Sequence, residues 1–173
     1  MKVSVTGHRP KLLGGYTEAV FSKLRETAEA ALAILEPDLV YTGMAQGWDM
    51  EIAKACEKLK FNFVAVIPFH DQEKVWPTHV QMEYHRLLNA AAAVECCSEE
   101  TYDKRLLFLR NKILIDHLDH SEDSQDVVLA LYDGRTSGGT QHALEYAMKR
   151  KTKILNAWGI YSGHSSHLTL LEY

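Results

Sequence analysis

Three glycine-bearing stretches carry residue types suited to an anionic ligand. In "YTGMAQGWDMEIAKAC" (41–56), Gly43, Gly47 and Asp49 follow an apolar run at close spacing. In "TGHRP" (6–10), Gly7 is followed by His8 and Arg9. In "YDGRTSGGTQHALEYA" (132–147), Asp133 and Gly134 lead into Gly138, Gly139 and Thr140. Glycines let a backbone approach phosphate oxygens, and a helix start presents unpaired N–H groups with a favourable dipole. Two helix starts are on offer, at Gly47 and at Gly138-Gly139-Thr140, and Thr140 adds a hydroxyl donor. Arg9 and Arg110 can each grip a phosphate at two points. Asp49 can cap its own helix or accept a hydrogen bond from a ribose hydroxyl.

These residues need elements to bring them together. "KVSVT" (2–6) is a β-branched run that stops at Gly7. Val20, Leu24, Ala28, Ala31 and Leu35 recur at helical spacing before Pro37. "LVYT" (39–42) predicts a second strand and 48–60 a second helix. "FNFVAVIPF" (61–69) is strand-like up to Pro68, and 71–90 is helical with a start or break at Trp76-Pro77. "AAAVEC" (91–96) predicts a strand. Residues 101–118 predict a helix with Leu106, Leu109, Ile113 and His117 along one side. "DVVLALYD" (126–133), a helix over 138–151 and "TKILNAW" (152–158) follow; the tail after them has no assignment.

Strands alternating with helices imply an α/β, doubly wound, mainly parallel sheet with helices on both faces. The chain has 173 residues, no repeats and no linker-like tract, so one domain over 1–173 is expected. In such a sheet the ligand crevice lies at the carboxyl ends of the strands. Most of the unusual loop residues follow strands, so they should converge there. Met44 and Ala45 lie between Gly43 and Gly47. Pro68 follows the third strand, and Asn111 adjoins Arg110. All four join the expected contact set. Gln72 and Trp76 can reach over the pocket as a lid, with Trp76 stacking on a base.

The composition is that of an ordinary globular protein, with 46% hydrophobic and 24% charged residues. A net charge of −4 and the lack of any basic, aromatic-laced stretch argue against a nucleic-acid partner. Three cysteines make no disulfide framework, and Cys96-Cys97 reads as packing. No signal peptide or membrane span is expected, so no membrane partner and a cytoplasmic location follow by default. "DHLDH" (116–120) puts His117 and His120 at a spacing that can serve a metal. The acidic run behind them reads instead as a solvated helix end, as do His164 and His167 in "GHSSH". No metal site is expected.

"TGHRP" with "LGG", "TGMAQGWDMEIA", "IPF" with Gln72 and Trp76, "RNKILID", and "LALYDGRTSGGTQHALEYA" occur in this order over about residues 3 to 156. Together they resemble the YpsA-like (DUF1273) family of the SLOG superfamily. That superfamily also holds the domain of the DNA-processing protein DprA and the LOG enzymes. The resemblance implies a Rossmann-like fold with a nucleotide or nucleotide derivative, such as ADP-ribose, NAD or a nucleoside phosphate, at its glycine-rich edge. It also implies a homo-oligomer. LOG enzymes hydrolyse nucleoside monophosphates and carry PGGxGTxxE, whose glutamate supports cleavage. Here the stretch is "SGGTQHALE": Ala143 stands third after Thr140, and Glu145 lies two residues beyond Ala143, about 200° around the helix from it at 3.6 residues per turn. The binding half of that pattern survives better than the catalytic half.

The reading is therefore a nucleotide-derivative binding protein, acting as sensor or sequestering domain, with no certain cofactor. One alternative is a LOG-like phosphoribohydrolase, for which Asp49, Asp133 and Glu145 are the carboxylates on offer. The other is a DprA-like single-strand DNA binder.

Overall fold

The computed structural model describes residues 1–172; Tyr173, part of the expected domain span, lies outside the described residues. The chain runs β1 (Lys2–Gly7), a 3-10 turn (Pro10–Leu12), α1 (Glu18–Leu35), β2 (Leu39–Thr42), α2 (Trp48–Leu59) and β3 (Asn62–Ile67). It continues through α3 (Thr78–Ala90), β4 (Ala93–Cys96), α4 (Lys104–Asp116) and β5 (Val127–Leu131). It ends with α5 (Gly139–Lys149), β6 (Lys153–Asn156), α6 (Trp158–Ser162) and β7 (Thr169–Leu170). Local chemistry sets the boundaries. Thr17 caps α1 by accepting from the Val20 N–H at 3.3 Å. Glu36 and Lys60 close α1 and α2 in the left-handed conformation.

The strands form one sheet in the order β4-β3-β2-β1-β5-β6-β7. All pairings are parallel except β6 with β7. The chain winds outward from β1 to β4, then returns to lay β5 against β1. Strand order reverses at that pair, and a crevice opens at such a switch point. This is a Rossmann-like α/β fold.

Period-two alternation sends each strand's side chains to both faces. Val3, Val5, Val40, Val127 and Leu129 join α1 and α2 in the larger core. On the other face, Val128, Ala130 and Ile154 pack on Ala143, Leu144 and Ala147 of α5. Tyr41, Val64 and Val66 pack on Leu114 of α4. Among the described residues no helix is long and apolar enough to cross a membrane.

Helix α3 starts after Pro77, the start that Trp76-Pro77 marks, and residues 71–75 form a turn. The tail and the buried face of α4 depart from the sequence expectation. The unassigned tail supplies α6 and the antiparallel β7. The buried side of α4 carries Leu106, Arg110, Asn111, Leu114 and Ile115, whereas Leu109 is 40% exposed. A polar pair occupies the inward face, so the apolar positions alone gave the wrong stripe.

This face assignment is testable by chemical denaturation. Leu114→Ala removes a buried side chain and should cost about 2–5 kcal/mol. Leu109→Ala should cost under about 1 kcal/mol. The reverse order would contradict the packing of α4.

Candidate functional site

A cleft of about 630 Å³ opens at the carboxyl ends of β1 and β5. Gly7, His8 and Arg9 enter it from β1, and Ala45, Gln46, Trp48 and Asp49 from the β2–α2 connection. Phe69, Gln72 and Trp76 come from the segment after β3. Arg110 and Asn111 enter from α4, and Ser137 to Thr140 from the start of α5.

Arg110 ties these segments together. Only 6% of it is exposed. Its Nη1 donates to the Gly43 carbonyl, and its Nε donates to Asn111 Oδ1 at 3.0 Å. Nη1 also lies 3.5 Å from Asp49 Oδ2. A Cβ on Gly43 would stand 1.7 Å from Nη1, so this glycine exists to admit the guanidinium. Gly43 itself does not line the cleft. Asn111 passes the connection on, donating through Nδ2 to the Gly139 carbonyl at 3.3 Å. Burial pushes the Asp49 carboxyl above its ordinary range, against the pull of Arg110 and the Ala45 N–H.

The two helix starts differ. Asp49 and Glu51 occupy the first turn of α2, and Asp49 Oδ2 accepts from the Ala45 N–H at 3.2 Å. That start already holds its anion. Gly138 begins α5 at φ +108° with no side-chain cap and no acidic residue in the first turn. The N–H groups there are available, next to the Thr140 hydroxyl.

His8 forms a second buried network. It is 3% exposed, and its Nε2 lies 2.7 Å from Asp133 Oδ1. Asp133 is also gripped by Arg135, whose Nε sits 2.9 Å from both carboxylate oxygens. Arg135 holds that carboxyl well below the usual carboxylate range. Burial lowers the His8 pKa, with Asp133 opposing.

Several expected contact residues sit outside the lining. Met44 is fully buried at φ +57°. Gly47, at φ +95°, makes room for Pro10, whose Cδ a Cβ would meet at 2.6 Å. Pro68 and Gly134 lie away from the cavity, and Asp133 serves it only through His8. Glu145 is exposed on α5 and accepts from Gln141 Nε2 at 3.0 Å. Gln72, expected as a lid, instead anchors its turn, donating to the Gly43 and Met44 carbonyls and the Tyr84 hydroxyl. Trp76 does line the cleft, edge-on to Tyr84. His117 stacks on Tyr41 and pairs with Glu95, and His120 pairs with Thr152.

A profile of the YspA SLOG family matches residues 3–160. The chain belongs to the YspA SLOG family. The chain is 32% identical to the uncharacterized SPbeta prophage-derived protein YoqJ of Bacillus subtilis over 121 residues, 62% of this chain and 64% of that one. The chain thus spans just under two thirds of that relative's length. In three dimensions this SLOG chain is similar to DprA of Streptococcus pneumoniae, at a TM-score of 0.62, 17% identity, and coverage of 90% of this chain and 49% of that one. It is similar to DprA of Helicobacter pylori, solved for its single-stranded DNA binding mode, at 0.60, 18%, and coverage of 90% and 64%. The molybdenum cofactor carrier protein of Chlamydomonas reinhardtii follows at 0.52, 14%, and coverage of 94% and 82%. At these identities the likeness is of fold.

One expectation for this SLOG chain needs correction. Net charge and the lack of a local basic-aromatic stretch argued against nucleic acid, yet the similar DprA structures include one solved for single-stranded DNA binding. The sequence argument fails physically as well. Arg9, Lys11 and Lys104 line the cleft, are exposed, and make no ion pair among the described residues. Tyr16 (55% exposed) and Tyr102 (70%) stand beside them, with Phe108. These residues come from separate segments, so no single stretch displays them. Sequence reading also missed Trp48, Phe69 and Arg135.

Two outcomes follow from this geometry. Gly43→Ala should expel the Arg110 guanidinium and cost about 3–5 kcal/mol, as breaking a buried charge contact does. Gly139→Ala, with nothing within 4 Å of the added carbon, should cost under about 1 kcal/mol. Equal losses in a urea titration would contradict the role given to Gly43. The second outcome concerns pH. Because the folded His8 pKa lies below the unfolded value, its contribution is complete above about pH 6.5 and falls as pH drops through the folded pKa. Wild type should therefore lose stability relative to His8→Asn between pH 7.5 and 5 (assay conditions of about this range). A constant difference across that range would contradict it.

Proposed function

We propose that the cleft binds a nucleotide-type ligand, with its phosphoryl group at the uncapped start of α5 and its base against the aromatic wall. The observation that carries this is the buried Arg110, coupled through Asn111 to the α5 start and open to the same cavity. A fixed guanidinium beside free backbone N–H groups and the Thr140 hydroxyl is a preorganised phosphate site. Trp76 and Phe108 offer faces on which a base can lie.

Binding, as in a sensor or sequestering domain, fits better than hydrolysis. Glu145 is exposed outside the cavity, Asp133 is saturated by Arg135 and His8, and Asp49 is held against Ala45 and Arg110. Each carboxylate that a LOG-like reaction would draw on is already engaged or displaced.

A second reading rests on Arg9, Lys11 and Lys104, without an ion pair among the described residues, and on the exposed Tyr16 and Tyr102. Cationic rims interleaved with aromatic faces suit single-stranded nucleic acid, whose backbone they track and whose bases they stack. The Helicobacter pylori DprA structure lends that reading its precedent.

One titration series separates the readings. Calorimetry with AMP, ADP-ribose and short single-stranded oligonucleotides should show binding of a mononucleotide. Gly139→Trp should abolish it, and Thr140→Val should weaken it roughly 3- to 10-fold, the worth of one hydrogen bond. Oligonucleotide binding alone, falling steeply with salt and lost in a Lys11→Gln/Lys104→Gln variant, would favour the second reading. Free base in the mass spectrum after incubation would point to hydrolysis instead.

A further inference from the structure

The phosphate site leaves His8 unexplained. This side chain lies in the cleft floor, immediately before Arg9 in sequence, and is almost wholly buried. A histidine there can be donor, acceptor or cation, and its neighbours decide which. Asp133 carries two contacts from Arg135 Nε and one from the Arg135 backbone N–H at 3.2 Å. It is an anion that can only accept. The Asp133 backbone N–H also lies 3.3 Å from His8 Nε2, but the shorter contact, 2.7 Å, is to a carboxylate oxygen that can only accept, and it puts the proton on Nε2. The neutral ring then keeps its lone pair on Nδ1.

Two observations turn that lone pair towards the ligand. Asp133 is not part of the cavity lining, so the Nε2 edge points away from the cavity. Nδ1 has no hydrogen-bond partner among the described residues, and it is absent from the sealed, unpartnered atoms, which are Trp48 Nε1, His120 Nε2 and His142 Nδ1. An acceptor fixed in a floor otherwise rich in donors is selective. Arg9, Arg110, Thr140 and the α5 N–H groups all donate to an anion. His8 alone in that set requires a donor in return.

We infer that His8 Nδ1 accepts a hydrogen bond from a ribose hydroxyl of the ligand, so that the site selects ligands that carry that hydroxyl over those that lack it. A sugar hydroxyl fits because the donor must lie close to the phosphoryl group that the adjacent donors hold. In the reading above the base lies against Trp76 and Phe108. Asp133 and Arg135 are positioning residues: they fix the tautomer and do not touch the ligand. The inference rests on the nucleotide reading above and deepens it.

The test is calorimetry with AMP, 2′-deoxy-AMP and 3′-deoxy-AMP on the wild-type chain and three variants. At least one deoxy ligand should bind roughly 3- to 10-fold more weakly than AMP. His8→Asn places an amide oxygen near the Nδ1 position and should keep that preference. His8→Leu should bind AMP and the deoxy ligands equally. Asp133→Asn can donate to Nε2, moving the ring proton to Nδ1, and should lose the preference while remaining folded by circular dichroism. Equal binding of all three ligands by the wild type would overturn the inference and leave the phosphate site standing. A preference that survives in His8→Leu would also overturn it. No binding of any of the three would overturn the nucleotide reading and the inference with it.

Discussion

The site depends on one buried guanidinium. Arg110 has lost its hydration, and a charge in that position persists only where fixed partners replace water. The Gly43 carbonyl, Asn111 Oδ1 and the Asp49 carboxylate do so. Gly43 and Asp49 belong to the β2–α2 connection, and Asn111 is the neighbour of Arg110 on α4 that passes the contact on to the Gly139 carbonyl, so satisfying the charge fixes α4, that connection and the α5 start relative to one another. The requirement propagates outward. Gly43 must lack a side chain, Asp49 must occupy the first turn of α2, and Gln72 must hold the Gly43 and Met44 carbonyls from the β3 side.

This division of labour answers why two glycines and an aspartate crowd into one short stretch. Gly43 yields space to Arg110, and Gly47 yields space to Pro10 while taking a left-handed conformation. Asp49 neutralises one helix start and one arginine together. The second helix start, at Gly138, is left unsatisfied. The chain thus fills one of two equivalent anion positions with its own carboxylate and leaves the other open to a ligand. The floor beyond it is polar and rigid, whereas the rim is cationic and aromatic.

Much of the fold was legible because β-branched runs and 3.6-residue spacings mark buried strands and helices regardless of context. The crevice was legible too, since the strand-ending loops carry glycine, proline and charged residues. What escaped were features made by tertiary contact. Arg110 and Asn111 were expected as contact residues, but the stripe of α4 was drawn through Leu109, and only the cleft beneath α4 explains why the polar pair faces inward while Leu109 faces out. The basic-aromatic rim is assembled from Arg9, Lys11, Tyr16, Tyr102 and Lys104, which no single window contains. Gly43, Gly47 and Gly134 looked like ligand contacts because space for a neighbouring side chain, or a simple turn, demands the same residue as space for a phosphate. Family membership accounts for the arrangement as a whole, and the local chemistry gives it a direction.

The most direct test is a nitrogen-15 amide shift map during titration with AMP. The account predicts that the largest changes fall on Gly139, Thr140 and Gln141 at the α5 start, together with the Arg110 side-chain Nε–H, while the α2 start at Trp48 to Met50 changes little. Largest changes at the α2 start, or changes confined to surfaces away from the cleft, would contradict it.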